Sequence, residues 1–97
     1  MVAAVAELTE ETKLEAAEGV ILGELPDETV LLSVSTGTAV RLNATGAWIW
    51  SQLEHAPSVG ALTDSLAERH GIDRDRALAD VRGFAENLDS RDFLELG

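Results

Sequence analysis

The run from Val30 to Trp50 constrains the fold more than any other part of this chain. It reads Val-Leu-Leu-Ser-Val-Ser-Thr-Gly-Thr-Ala-Val-Arg-Leu-Asn-Ala-Thr-Gly-Ala-Trp-Ile-Trp. Two short apolar strand patterns meet at a Thr36-Gly37 turn, and the second breaks at Asn43 into a helical pattern. Strands therefore belong to the first half of the chain and helices to the second. The strand just before the helix is left as an open edge. An open edge beside a helix is a place where an extended peptide can add as a further strand.

The flanking segments extend this pattern. Gly19 to Leu25 reads as a strand closed by the turn residues Pro26-Asp27. Thr29 to Val34 is a second strand and Thr38 to Leu42 a third. Alternation puts Val40 and Leu42 on the core face and Ala39 and Arg41 on the other. Asn43 is an N-cap, and the first helix runs from about Ala44 to Glu54 with Ile49, Trp50 and Leu53 on one stripe. Trp48 lies about 160° from Trp50 around the helical wheel, so the two indoles do not face the same core. Trp48 is therefore a candidate anchor for a partner protein, with packing under the N-terminal arm or the hairpin as the competing role.

Ala56-Pro57-Ser58 closes that helix and caps a second one, whose stripe is Val59, Leu62 and Leu66. Gly71 stops it, with Arg69 and His70 in its last turn. Asp73 caps a third helix with the stripe Ala77, Val81, Phe84 and Leu88. The tail Asp92 to Leu96 is placed to close the core. The expected architecture is α+β and winged helix-turn-helix-like: a three-stranded antiparallel sheet followed by three helices. Residues 1–12 are expected to form a flexible acidic arm, and residues 13–97 the folded domain.

Composition narrows the chemistry. The net charge of -11, from 18 acids against seven bases, repels nucleic acid unless the bases gather on one face. Asp73, Asp75 and Asp80 in the third helix would face phosphates, so nucleic acid is not the expected partner. A DNA-binding winged helix is the main alternative, and a domain that pairs edge to edge with itself is another. With no Cys there is no disulfide, thiolate nucleophile or cysteine metal site. His55 and His70 sit at helix ends. Neither a nucleophile-base pair nor a metal-ligand cluster nor a phosphate loop is present, so neither catalysis nor a cofactor or metal is expected. The N-terminus lacks a signal peptide's basic region, and no stretch is long enough to span a bilayer. The expected compartment is the cytoplasm.

Several residues carry a resemblance to a known family. Val30-Leu31-Leu32 is followed by Val40-Arg41-Leu42-Asn43, Gly46-Ala47 and Ile49-Trp50. Then come Val59, Leu62 and Leu66 with Ala67-Glu68-Arg69-His70, and finally Asp80-Val81, Phe84 and Leu88. In order and spacing the chain resembles PqqD and the recognition elements of ribosomally made, post-translationally modified peptides, over about Gly19 to Leu96. The Asn43–Trp50 stretch is most similar to the small stand-alone recognition proteins of lasso-peptide pathways. It departs from many relatives at Thr38-Ala39-Val40, where they carry an aromatic.

The resemblance implies a non-catalytic protein that binds the leader segment of a precursor peptide beside the third strand, against the third helix. It would hand that leader to a separate modifying enzyme or leader peptidase. Some stand-alone relatives instead serve radical-SAM enzymes. The expected peptide contacts are Thr38, Ala39, Val40, Arg41 and Leu42 on the edge. On the third helix, the expected floor is Leu78, Val81 and Ala85, with Arg74 and Arg82 as rim. The opposite flank, with Arg76, Asp80 and Asn87, is the alternative wall.

Overall fold

A computed structural model describes residues 8–97. Three strands, β2 (Val20–Leu25), β3 (Glu28–Ser33) and β4 (Ala39–Leu42), form an antiparallel sheet in the order β2-β3-β4. Helices α1 (Ala44–Gln52), α2 (Val59–His70) and α3 (Arg74–Asp89) follow. This is the expected α+β arrangement of a three-stranded sheet and three helices. A second sheet was not foreseen: β1 (Leu14–Ala16) pairs antiparallel with β5 (Leu94–Leu96), matching Leu14 with Leu96 and Ala16 with Leu94. Two three-residue strands from opposite ends of the chain carry no periodicity of their own, and only the tertiary fold brings them together.

Local chemistry explains the boundaries. Asn43 accepts a hydrogen bond from the Gly46 N–H at 2.7 Å, and Ser58 accepts one from the Ala61 N–H at 3.1 Å. Asp73 holds the N-cap position of α3, but its side chain makes no capping bond. Gly71 ends α2 at φ +61°, a left-handed conformation that costs glycine little. After Gln52 the chain tightens into a 3-10 turn, Leu53–His55, so α1 is shorter than its apolar pattern suggested. Asn43→Ala is expected to lower stability by about 1 kcal/mol, read from a urea melt, because it orphans the Gly46 amide.

The core lies between the inner sheet face and the helices. Leu31, Val40 and Leu42 of the sheet meet Ile49 of α1, Leu62 and Leu66 of α2, and Ala77, Val81, Ala85 and Leu88 of α3. Leu14, Phe93 and Leu94 close it from the β1–β5 side. Two expectations need correcting here. Phe84 is half-buried, while Ala85 is fully buried and takes the core position. Both tryptophans are half-buried beside the buried Ile49, so neither is the central core residue of α1. The Arg69 guanidinium sits 5.4 Å from the centre of the Trp48 ring, which ties α1 to α2 by a cation–π contact.

Of the expected N-terminal arm, residues 1–7 lie outside the described residues. Residues 8–12 are docked rather than free. Leu8 is buried, the Gly60 N–H donates to the Glu10 carbonyl, and the Val59 N–H donates to the Thr12 carbonyl, each at 2.8 Å. These are amides of the first turn of α2, which have no partner within their own helix. Arg74 holds the same segment, bonding the Glu10 carboxylate as well as Asp64.

The Arg74 hydrogen bond is the main cause holding the Glu10 carboxyl below the usual carboxylate range. A depressed carboxylate contributes stability that is present above its ordinary pKa and is lost as the pH falls through its lowered folded value. The protection factor of the Gly60 amide, the slowing of its exchange relative to an unstructured amide at the same pH, is therefore expected to fall on acidification in the wild type, and Glu10→Gln should remove that acid-dependent step.

Candidate functional site

β4 has one partner, β3, so its other side is an open edge among the described residues. Antiparallel pairing decides which groups that edge offers. Ser33 donates its N–H to the Thr38 carbonyl at 2.9 Å, and the register continues as Leu32 with Ala39, Leu31 with Val40, Val30 with Arg41 and Thr29 with Leu42. Bonded and non-bonded pairs alternate along such a ladder. Val40 and Leu42 therefore turn their backbone groups towards β3, while Ala39 and Arg41 turn theirs outward. Side chains alternate in the perpendicular direction: Val40 and Leu42 are buried, Ala39 and Arg41 exposed.

Beside this edge runs a groove of about 460 Å³. Arg41, Leu42 and Asn43 line it from the strand and its end, and Thr45, Gly46 and Ile49 from α1. Arg76, Asp80, Gly83, Phe84 and Asn87 form its α3 wall. The spacing of these α3 residues is one helical face, at i, i+4, i+7, i+8 and i+11.

The wall is thus the flank that the sequence reading held as its alternative. Val81 and Ala85 do not line the groove, because both are fully buried in the core. Leu78 packs half-buried against the core, and Arg82 is exposed, both off the groove. Arg74 is spent on Glu10 and Asp64. The core stripe of α3 is Ala77, Val81, Ala85 and Leu88, so three of the four expected core positions hold and Ala85 stands in place of Phe84. Phe84, half-buried at the margin of that stripe, lines the groove with Asp80, Gly83 and Asn87, on the flank opposite Leu78 and Arg82.

On the strand side, Arg41 and Leu42 line the groove, and Ala39 supplies the outward backbone. Val40 belongs to the core, and Thr38 lies just before β4 with its carbonyl engaged by Ser33. Sequence reasoning missed Thr45, Gly46, Ile49, Gly83 and Phe84 as groove residues. The Gly46-Ala47 and Phe84 positions were visible as parts of the family pattern, but their place in a groove was not.

Electrostatically the groove is mixed. Arg41 pairs with Glu28 at 3.5 Å. Neither Arg76 nor Asp80 makes an ion pair among the described residues. Among the described residues no group of three His, Cys, Asp or Glu is placed to hold a metal ion, and no helix is long and apolar enough to cross a membrane.

The model of the family described as coenzyme PQQ synthesis protein D (PqqD) matches residues 28–94. The chain belongs to the PqqD family. The matched span runs from β3 to the first residue of β5 and so contains the open edge, α1 and the α3 wall. Two solved structures share the fold. One is TbiB1 in complex with the TbiA(beta) leader peptide, at 32% identity and TM-score 0.75, covering 84% of this chain and 94% of that one. The other is a lasso peptide synthetase B1 complexed with the leader peptide, at 21% identity and TM-score 0.73, covering 88% of this chain and 98% of that one. No curated protein matches the chain. The hairpin strand β2, which lies outside the PqqD match, carries the exposed apolar residues Ile21, Leu22 and Leu25.

Proposed function

We propose that this PqqD-family chain binds the leader segment of a ribosomally made precursor peptide and presents it to a separate modifying enzyme or leader peptidase, without catalysing a reaction itself. One observation carries the reading: an unpaired strand edge with outward backbone groups at Ala39 and Arg41 borders a groove walled by α3. Strand addition suits such a task. Backbone hydrogen bonds supply affinity with little dependence on sequence, and the groove sorts alternate side chains. Both solved relatives are complexes with leader peptides, which supports the same ligand class here. The lasso-peptide setting rests on the resemblance of the Asn43–Trp50 stretch to that branch of recognition proteins. A DNA-binding role is disfavoured by the net charge of -11 and by Asp80 on the free wall of α3.

The test is an amide titration of labelled protein with the leader peptide encoded beside its gene. Saturable shifts are expected at Ala39, Arg41, Gly46, Gly83 and Phe84, with little change at Leu78 and Arg82. Shifts confined to the Leu78–Arg82 side, or none with any neighbouring short reading frame, would refute this reading. In the same assay Asn87→Glu should weaken binding more than Leu78→Glu, the reverse of what the sequence alone led one to expect.

A further inference from the structure

The α3 wall carries an ordered set of unlike groups. Arg76 and Asp80 are one turn apart, and Gly83 and Phe84 follow one turn later. A helix rises about 1.5 Å per residue, so Arg76 and Asp80 are offset by about 6 Å and Arg76 and Phe84 by about 12 Å along its axis. An extended strand advances about 3.3 Å per residue, so side chains on one of its faces recur at about 6.6 Å. The two spacings match in step. A strand running along α3 in the groove presents side chains p, p+2 and p+4 to Arg76, Asp80 and the Gly83–Phe84 pair.

Each station has its own chemistry. Arg76 is exposed and makes neither an ion pair nor a side-chain hydrogen bond among the described residues, unlike Arg74 two residues earlier, which is held by two carboxylates. Asp80 is equally uncommitted. At Gly83 an added Cβ would meet nothing within 4 Å, so the wall there is open beside the Phe84 ring, with Leu42 and Ile49 as floor.

We propose that this groove reads charge order, selecting extended peptides with an acidic side chain opposite Arg76, a cationic or hydrogen-bond-donating one two positions away opposite Asp80, and a bulky apolar one two positions further over Gly83 and Phe84. The inference rests on the peptide-binding reading above and adds the sequence class of the ligand. In a chain of net charge -11 an acidic peptide is repelled at long range. Local pairing with Arg76 makes the placement of the acid, not the peptide's total charge, the discriminating property. The reversed order sets like charges against each other at both stations, so the groove rejects it as well as preferring the correct one.

The experiment is selection of a random displayed peptide library on the full chain and on its Arg76→Glu and Asp80→Lys variants, each first shown by circular dichroism to be folded. The wild-type pool is expected to be enriched in Asp or Glu four positions from a bulky apolar residue, with Lys, Arg or an amide between. Arg76→Glu should replace that acid by a base, and Asp80→Lys should turn the middle position acidic. For one selected peptide, acid→Lys should cost about tenfold in affinity, with Arg76→Glu restoring it. A pool with an apolar anchor but no charge preference, or a preference unchanged by both variants, overturns the charge reading and leaves peptide binding standing. A folded wild-type chain that enriches nothing overturns the peptide-binding reading itself.

Discussion

Ala39→Pro is expected to weaken leader-peptide binding by roughly tenfold to a hundredfold while leaving the domain folded. The Ala39 N–H points away from β3, into the path of an added strand. Proline removes that donor and leaves a peptide carbonyl without its partner, a loss of about 1–3 kcal/mol. An edge strand tolerates proline when the lost N–H faced outward. Val40→Pro is the contrasting variant. Its N–H faces Leu31 of β3, and its side chain is 7% exposed, so the substitution should unravel the β3–β4 pairing and lower the urea midpoint sharply. Fluorescence anisotropy with a labelled leader, beside a urea melt of each variant, separates the two effects. Wild-type affinity in a folded Ala39→Pro protein would remove β4 as the docking edge.

The largest loss of stability is expected from Phe93→Ala, at about 3–5 kcal/mol. Phe93 heads the fully buried side chains. Its amide donates to the Leu88 carbonyl at 2.9 Å, and its own carbonyl accepts the Ala17 N–H at 3.0 Å, so the ring is fixed from both sides. Asp92, in the left-handed region at φ +65°, turns the chain so that Phe93 enters the core. A domain of this length has about 5–15 kcal/mol in total, so the variant should lose a large share of it and show a sharply lowered urea midpoint. Phe84→Ala gives the comparison. Phe84 is half-buried and lines the groove, so its loss should cost clearly less stability and more affinity. If equilibrium urea unfolding ranked the two substitutions the other way, the assignment of Phe84 to the groove would be wrong.

The two phenylalanines mark where sequence reasoning stops. Both lie in apolar patterns, and on a helical wheel Phe84 is as good a core residue as Ala85. The ranking by size favours Phe84. Tertiary packing decides between them: Ala85 is fully buried in the core, and Phe84 is half-buried beside the groove. Which flank of α3 faces the end of β4 is a tertiary matter too: the two flanks lie on opposite sides of the core stripe, and Arg76, Asp80 and Asn87, not Leu78 and Arg82, line the groove. The same limit hid the β1–β5 ribbon, whose strands are three residues each and separated by nearly the whole chain.

The local signals were legible because their causes are local. Asn43 and Ser58 cap their helices through bonds spanning three residues, and Gly71 takes a backbone conformation few other residues accept. The alternation of Ala39, Val40, Arg41 and Leu42 follows from the two-residue period of any strand. From these the sequence by itself determined the order of sheet and helices, the core face of β4 and the family pattern. Tertiary structure alone decided the docking of residues 8–12, the closing ribbon and the wall of the groove. Each of these depends on where separate elements come to rest against one another, and packing across the core decides that.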